Sequence, residues 1–66
     1  MTVTVNGQRQ QVAEGTTIAG LLERLAIPSD AVAVAIGREV VPRREHADRR
    51  IADGDEVEIV RAVGGG

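Results

Sequence analysis

One helical stripe set between strand-like segments constrains the fold of this 66-residue chain more than any other feature. The stripe has the i, i+3, i+4, i+7 spacing that places apolar side chains on one face of a helix. Its members are Ile18, Leu21, Leu22 and Leu25. A hydroxyl at Thr16 or Thr17 can cap the helix, and Pro28 disfavours helical geometry at the residue before it. We therefore predict a helix over residues 17–26.

The other segments have the alternating or β-branched composition of strands. They are residues 1–6, 8–13, 31–36, 39–41 and 55–63. Asn6-Gly7 predicts a type I′ hairpin between the first two, because both central positions of that turn need a positive φ. Gly37-Arg38 predicts a type II′ turn, with glycine at the first central position. Asp53-Gly54 predicts the turn into the last strand.

One helix for four or five strands predicts an α+β domain, in which the helix packs on one face of a mixed sheet. The polar second strand is expected at a sheet edge. The first and last strands are expected as neighbours in the middle of the sheet. Alternation within the last strand places Val57, Ile59 and Val63 on the face toward the helix. The residues on its open face are Glu56, Glu58, Val60 and Ala62.

The composition removes most alternative chemistry. The chain has no Cys, no Lys and no aromatic residue, its net charge is −2, and His46 is its one histidine. Without stacking residues or a basic excess, nucleic acid is not an expected partner, and no segment is long enough to span a membrane. His46 lacks a second His or Cys for a metal, so a surface side chain is expected there. We expect a cytoplasmic protein that is monomeric when free.

The sequence ends in Val63-Gly64-Gly65-Gly66. Because glycine has no Cβ, we predict a domain at residues 1–63 and a flexible tail at 64–66 that can thread a narrow channel. Three extended residues reach about 10 Å. With few other reactive groups, the Gly66 carboxylate is the candidate chemical site, and Gly64 and Gly65 are candidate partner contacts. Val60 and Ala62 form a candidate docking patch next to the tail. The alternative is an inert, frayed terminus.

Two charged segments have both a functional and a structural interpretation. The first contains Asp53, Asp55, Glu56 and Glu58. These carboxylates either attract a basic partner or simply solvate a strand. The second segment, residues 43–50, is rich in Arg and could contact phosphate. Because Glu45 and Asp48 are interspersed in it, we favour a polar, irregular, solvated loop there.

Several stretches, taken in order, carry a family resemblance. They are Val5-Asn6-Gly7, Gly15-Thr16-Thr17-Ile18 with Leu21-Leu22, Val32-Ala33-Val34-Ala35-Ile36, Val40-Val41-Pro42-Arg43, and residues 53–60 followed by 62–66. With this order and this terminus, the chain resembles the sulfur carrier proteins of thiamine (thiazole) biosynthesis, the ThiS family, whose fold is the ubiquitin-like β-grasp. That family usually carries an aromatic residue near His46, and this chain has none.

The resemblance implies a protein co-substrate rather than an enzyme. In such carriers an adenylating (E1-like) sulfurtransferase enzyme binds ATP and Mg²⁺ and transfers AMP to the terminal carboxylate, which is that of Gly66 here. A persulfide donor such as a cysteine desulfurase then supplies sulfur, and thiazole synthase takes it from the resulting thiocarboxylate. The resemblance also implies that the chain itself binds no cofactor.

Other functions remain open from the sequence. The small subunit of molybdopterin synthase uses the same tail chemistry, although that family is usually longer. A ubiquitin-like modifier would join its tail to a lysine of another protein. A plain interaction module would leave the tail unused. The sulfur carrier of thiazole formation is the function that we predict.

Overall fold

Five strands form one mixed sheet in the structure, a computed structural model that describes residues 1–61. The strands are β1 (Thr2–Val5), β2 (Gln8–Gln11), β3 (Val32–Ile36), β4 (Glu39–Val41) and β5 (Glu56–Arg61). Their order across the sheet is β2-β1-β5-β3-β4. β1 and β5 run parallel, and the other three pairings are antiparallel. The predicted edge position of β2 and the predicted neighbours β1 and β5 are confirmed.

One α-helix, α1 (Ile18–Arg24), packs on one face of this sheet. The Thr17 hydroxyl accepts a hydrogen bond from the Gly20 N–H at 3.1 Å, so Thr17 is the N-cap. Three members of the predicted stripe, Ile18, Leu21 and Leu22, are buried. The core beneath them is formed by Val3, Val5, Val12, Val32, Val34, Ile36, Val41, Ile51 and Val57. The predicted α+β class and the one-sided packing are therefore confirmed.

The helix ends earlier than predicted, in a Schellman turn. The Ile27 N–H donates to the Leu22 carbonyl at 2.9 Å, and the Ala26 N–H donates to the Glu23 carbonyl at 3.0 Å. This pair of bonds satisfies carbonyl groups that the helix end leaves without partners. It requires a left-handed residue, and Ala26 has φ 57°. The chain thus leaves the helix before Pro28 enforces its end.

The two hairpin turns have the same backbone form. Asn6 and Gly7 have φ values of 49° and 83°, so the predicted type I′ turn is confirmed. Gly37 and Arg38 have φ values of 58° and 70°. The predicted type II′ turn is wrong, because its second central residue would have a negative φ. A type I′ turn matches the right-handed twist of β3 and β4, and Arg38 takes the left-handed conformation that this match requires.

The segment between β4 and β5 closes the N-terminal end of the helix. It begins with a 3₁₀ turn at Arg43–Glu45. Ile18 N–H donates to the Arg49 carbonyl at 3.0 Å, and Ala19 N–H donates to the His46 carbonyl at 2.9 Å. These carbonyls satisfy N–H groups that a helix start leaves unpaired. The segment predicted as an irregular, solvated loop is therefore also a cap for α1.

His46 is buried, and the expectation of a surface side chain is wrong. Only 3% of the residue is exposed. Its Nε2 lies 3.1 Å from the Val41 carbonyl oxygen, which can only accept, so Nε2 carries the proton. Nδ1 is buried and has no hydrogen-bond partner among the described residues. The carbonyl of His46 accepts from the Ala19 N–H, so the contact between this segment and the start of α1 keeps the ring inside the domain.

Candidate functional site

The last strand, β5, leads the chain toward the glycines from the middle of the sheet. On one side, β3 pairs with five of its six residues, from Ile36 opposite Val57 to Val32 opposite Arg61. On the other side, β1 pairs only with its first two residues, with Thr4 opposite Glu56 and Val5 opposite Val57. The chain of β1 then turns away at Asn6. The second half of β5 therefore has a strand neighbour on one side only.

The side chain of Asn6 continues the pairing after β1 has turned away. Its Oδ1 accepts from the Ile59 N–H at 2.8 Å, and its Nδ2 donates to the Ile59 carbonyl at 3.1 Å. The Asn6 main-chain N–H donates to the Val57 carbonyl at 2.9 Å. Asn6 thus forms hydrogen bonds with both Val57 and Ile59, two alternate residues on the same edge of β5. This role was not foreseen from the sequence, where Asn6-Gly7 carried only a turn signal.

The open face of the sheet carries an apolar patch that begins at Val60. Val60 is 60% exposed, and its partner across the strands is Ala33. Val40 is 69% exposed, and its partner is Ala35. Ala33 and Ala35 lie on one face of β3, since side chains two residues apart in a strand point the same way. We name these four residues, Val60, Ala33, Ala35 and Val40, the open-face patch.

Only part of this patch was identified from the sequence. Val60 lies where it was predicted, and Val57 and Ile59 lie on the opposite face, which is buried or half-buried. The alternation within β3 signalled that Ala33 and Ala35 share a face. However, only the register places them between Val60 and Val40. Ala62, Gly64, Gly65 and Gly66 lie outside the described residues, so these predicted site residues have no structural description here.

The acidic residues near β5 divide into two groups. Asp53 Oδ1 accepts from the Thr2 N–H at 2.8 Å, and Asp55 Oδ2 accepts from the Ala52 N–H at 2.8 Å. These two carboxylates hold the turn that precedes the strand. Glu56 and Glu58 are exposed on the open face. Glu56 and Glu58 therefore do not stabilise the turn. They are the two acidic residues that stay candidates for attracting a basic partner.

The part of the chain that the structure describes has neither a cluster of metal ligands nor a membrane-crossing helix. Residues 1–61 contain no group of three or more His, Cys, Asp or Glu side chains placed to hold a metal ion. His46 uses its Nε2 for the Val41 carbonyl, which orients the ring for packing. Within the same residues, no helix has both the length and the apolar character needed to cross a membrane.

Comparison with known proteins places these features in a family context. A model of the ThiS family matches residues 3–66. The sulfur carrier protein ThiS of Escherichia coli is 35% identical over 66 residues, which cover 100% of both chains. A thiazole synthase of Paramagnetospirillum magneticum is 36% identical over 66 residues, but this chain spans only 20% of its length.

A solved structure gives the same match in three dimensions. The crystal structure of the thiamine biosynthesis protein ThiS from Geobacter metallireducens superposes with a TM-score of 0.87 at 35% identity. The superposition covers 100% of both chains. At this identity and coverage, the sequence similarity extends over the whole chain, and the fold of the described residues is shared. The predicted ubiquitin-like β-grasp architecture is confirmed.

Proposed function

This chain belongs to the ThiS family, and we propose on that premise that it is a sulfur carrier protein of thiamine (thiazole) biosynthesis. The observation that carries the proposal is the match over the whole length of the Escherichia coli sulfur carrier protein. The match to one fifth of a protein named thiazole synthase adds support. That protein contains a segment similar to this chain, which links the carrier to thiazole formation. The chain would act as a protein co-substrate and not as an enzyme.

The chemistry that we propose takes place at the Gly66 carboxylate. A carboxylate is a poor electrophile, so a partner enzyme first activates it with ATP. A carboxylate oxygen attacks the α-phosphate and pyrophosphate leaves, which gives an acyl-adenylate. The α-carboxyl has an ordinary pKa of about 3.3–3.7, so at neutral pH the carboxylate is ionised and able to attack.

Sulfur would enter at the activated acyl carbon. The terminal sulfur of a persulfide displaces AMP there, which gives an acyl disulfide. A thiol then attacks the donor's sulfur in that S–S bond and forms a new disulfide with it, and the thiocarboxylate leaves. Thiazole synthase would then take this sulfur. The chain contains no Cys and no Lys, so it has neither a thiol nor a lysine amine with which to consume its own activated end. We propose that ATP and Mg²⁺ are bound by the adenylating (E1-like) enzyme, and that a cysteine desulfurase supplies the persulfide.

We propose the open-face patch as the docking surface for the adenylating enzyme. Val60 is the last exposed apolar residue of β5 before the strand's described end at Arg61. An enzyme that encloses the tail has to contact the end of this strand. Ala33, Ala35 and Val40 extend that contact across β3 and β4. Gly64 and Gly65 would pass through the enzyme's channel, because they add no side-chain width.

Intact-mass analysis tests the proposed function. The purified chain is incubated with a cell extract, ATP and cysteine, and its mass should rise by the replacement of one oxygen with sulfur. A variant that lacks Gly66, or that carries one added residue after it, is the matched control and should stay unchanged. Attachment to larger proteins would instead indicate a ubiquitin-like modifier, and no change would indicate an inert tail.

A second step separates thiazole formation from the molybdopterin pathway. The thiocarboxylated chain is offered to purified thiazole synthase and, separately, to the large subunit of molybdopterin synthase. Loss of sulfur to thiazole synthase is the expected result. Loss only to the molybdopterin enzyme would overturn the assignment to thiamine biosynthesis while leaving the carrier chemistry in place.

A further inference from the structure

A groove opens on the helix side of the sheet, next to the described end of β5. Its floor is formed by Val32, which is buried, and by Ile27 and Ile59, which are half-buried. Its rims are formed by Asn6, Ala26, Pro28, Ala31 and Arg61. The part between the end of α1 and β3 has a volume of about 280 Å³. The apolar floor and the single charged group at the rim suit an apolar side chain of a protein partner with a carboxylate beside it.

Arg61 connects this groove to the strand that carries the tail. Arg61 pairs with Val32 across the sheet, so its side chain lies on the helix side and not on the open face. Among residues 1–61, it is the only charged residue that lines the groove. The preceding residue, Val60, points to the open-face patch. The last two described residues of β5 therefore lie on opposite faces of the sheet, Val60 in the open-face patch and Arg61 beside the groove.

The edge of β5 beside the groove is also open. β1 and then the Asn6 amide pair with this edge as far as Ile59. Backbone groups of alternate residues face the same edge, so the next ones there are those of Arg61. No hydrogen bond within residues 1–61 joins them to another strand on that side. A segment that lies along this edge would find hydrogen-bonding groups and an apolar cleft together.

We propose that this groove is a second docking surface for the adenylating enzyme, and that it takes an apolar side chain flanked by a carboxylate. The inference rests on the proposed function, because the partner is the enzyme that encloses the tail. The apolar side chain would lie over Ile27 and Val32, and the carboxylate would pair with the Arg61 guanidinium, which can bind it with two parallel hydrogen bonds. The enzyme would therefore grip β5 from both faces of the sheet.

Binding to the purified adenylating enzyme, measured by titration calorimetry, tests the proposal with two independent variants. Arg61→Glu reverses the charge and should weaken binding at least about tenfold. Arg61→Lys keeps the charge and should lose much less. Ala31→Leu fills the groove from outside the strand and should also weaken binding. Arg9→Glu, a charge reversal on the far edge strand β2, is the matched control and should bind like the unmodified chain.

The outcomes separate the groove from the proposed function. Thermal melting first shows that each variant is folded. If the unmodified chain binds and becomes thiocarboxylated while Arg61→Glu and Ala31→Leu bind equally well, the groove is not a docking surface and the proposed function stands. If the unmodified chain neither binds nor becomes thiocarboxylated, the proposed function fails, and the groove has no such partner. Weak binding by both variants, with a normal Arg9→Glu, supports the groove.

Discussion

The Asn6 side chain brackets the main chain of Ile59, accepting from its N–H at 2.8 Å and donating to its carbonyl at 3.1 Å. In a parallel ladder that continued past the turn, the carbonyl of residue 6 and the N–H of residue 8 would supply these two bonds. The sequence separation of 53 residues makes this contact a link between the first hairpin and the last strand. It also fixes the edge of β5 two residues before the described end of that strand.

We predict that Asn6→Gly lowers the free energy of unfolding by about 1–2 kcal/mol, the worth of two neutral hydrogen bonds. Glycine keeps the positive φ that position 6 requires, so the turn itself should survive. Chemical denaturation measures the loss, and hydrogen exchange locates it. The Ile59 amide should exchange faster, while the amides that pair β1 with β2 remain protected. Unchanged protection at Ile59 would contradict the role assigned to the Asn6 amide.

Replacing Asn6 with Asp separates the two bonds. The carboxylate can still accept from the Ile59 N–H, but its other oxygen would face the Ile59 carbonyl, where nothing can donate. We expect the Ile59 amide to stay better protected from exchange than in Asn6→Gly, because its acceptor is kept. The loss of stability should shrink when the pH is lowered enough to protonate Asp, since the protonated oxygen can donate to the Ile59 carbonyl. A loss of stability that does not depend on pH would show that the bond from the side chain of residue 6 to the Ile59 carbonyl does not stabilise the fold.

The buried ring of His46 leads to a prediction about stability. His46→Ala should lower the free energy of unfolding by about 1–3 kcal/mol, because the buried Val41 carbonyl loses its donor. The same change would loosen the segment whose carbonyls cap the start of α1. Denaturant titration measures the effect. Arg44→Ala, at an exposed position of the neighbouring 3₁₀ turn, is the control and should change stability by less than about 0.5 kcal/mol. Equal effects of the two changes would place His46 outside the core.

The open-face patch gives a prediction about docking. Val60→Asp should weaken binding to the adenylating enzyme by at least about tenfold, since an unpaired charge in a dry contact is costly. Val40→Asp tests the far end of the patch and should also weaken binding. Thr4→Asp, on the same face at β1, is the control outside the patch. Melting temperatures should change little because both valines are exposed. Unchanged affinity for both valine variants would place the docking surface elsewhere.

The glycine tail gives a prediction about turnover. Gly65→Val should reduce adenylation strongly, because a β-branched side chain both widens and stiffens the arm. ATP–pyrophosphate exchange with the adenylating enzyme measures it, and Gly65→Ala gives an intermediate step in width. Thermal stability should not change. A loss of stability larger than the loss of exchange would mean that position 65 packs against the domain.

The sequence by itself determined the elements whose signals are local. The spacing of Ile18, Leu21 and Leu22 predicted the buried face of the helix, and Asn6-Gly7 predicted its turn, because each depends on neighbours a few residues apart. The tertiary structure decided what depends on distant segments. His46 is buried because its segment has to meet the start of α1, although nothing near it in the sequence is apolar enough to signal this. Val40 and Val60 belong to one patch because the register of β3 brings them together, and register is a property of the whole sheet.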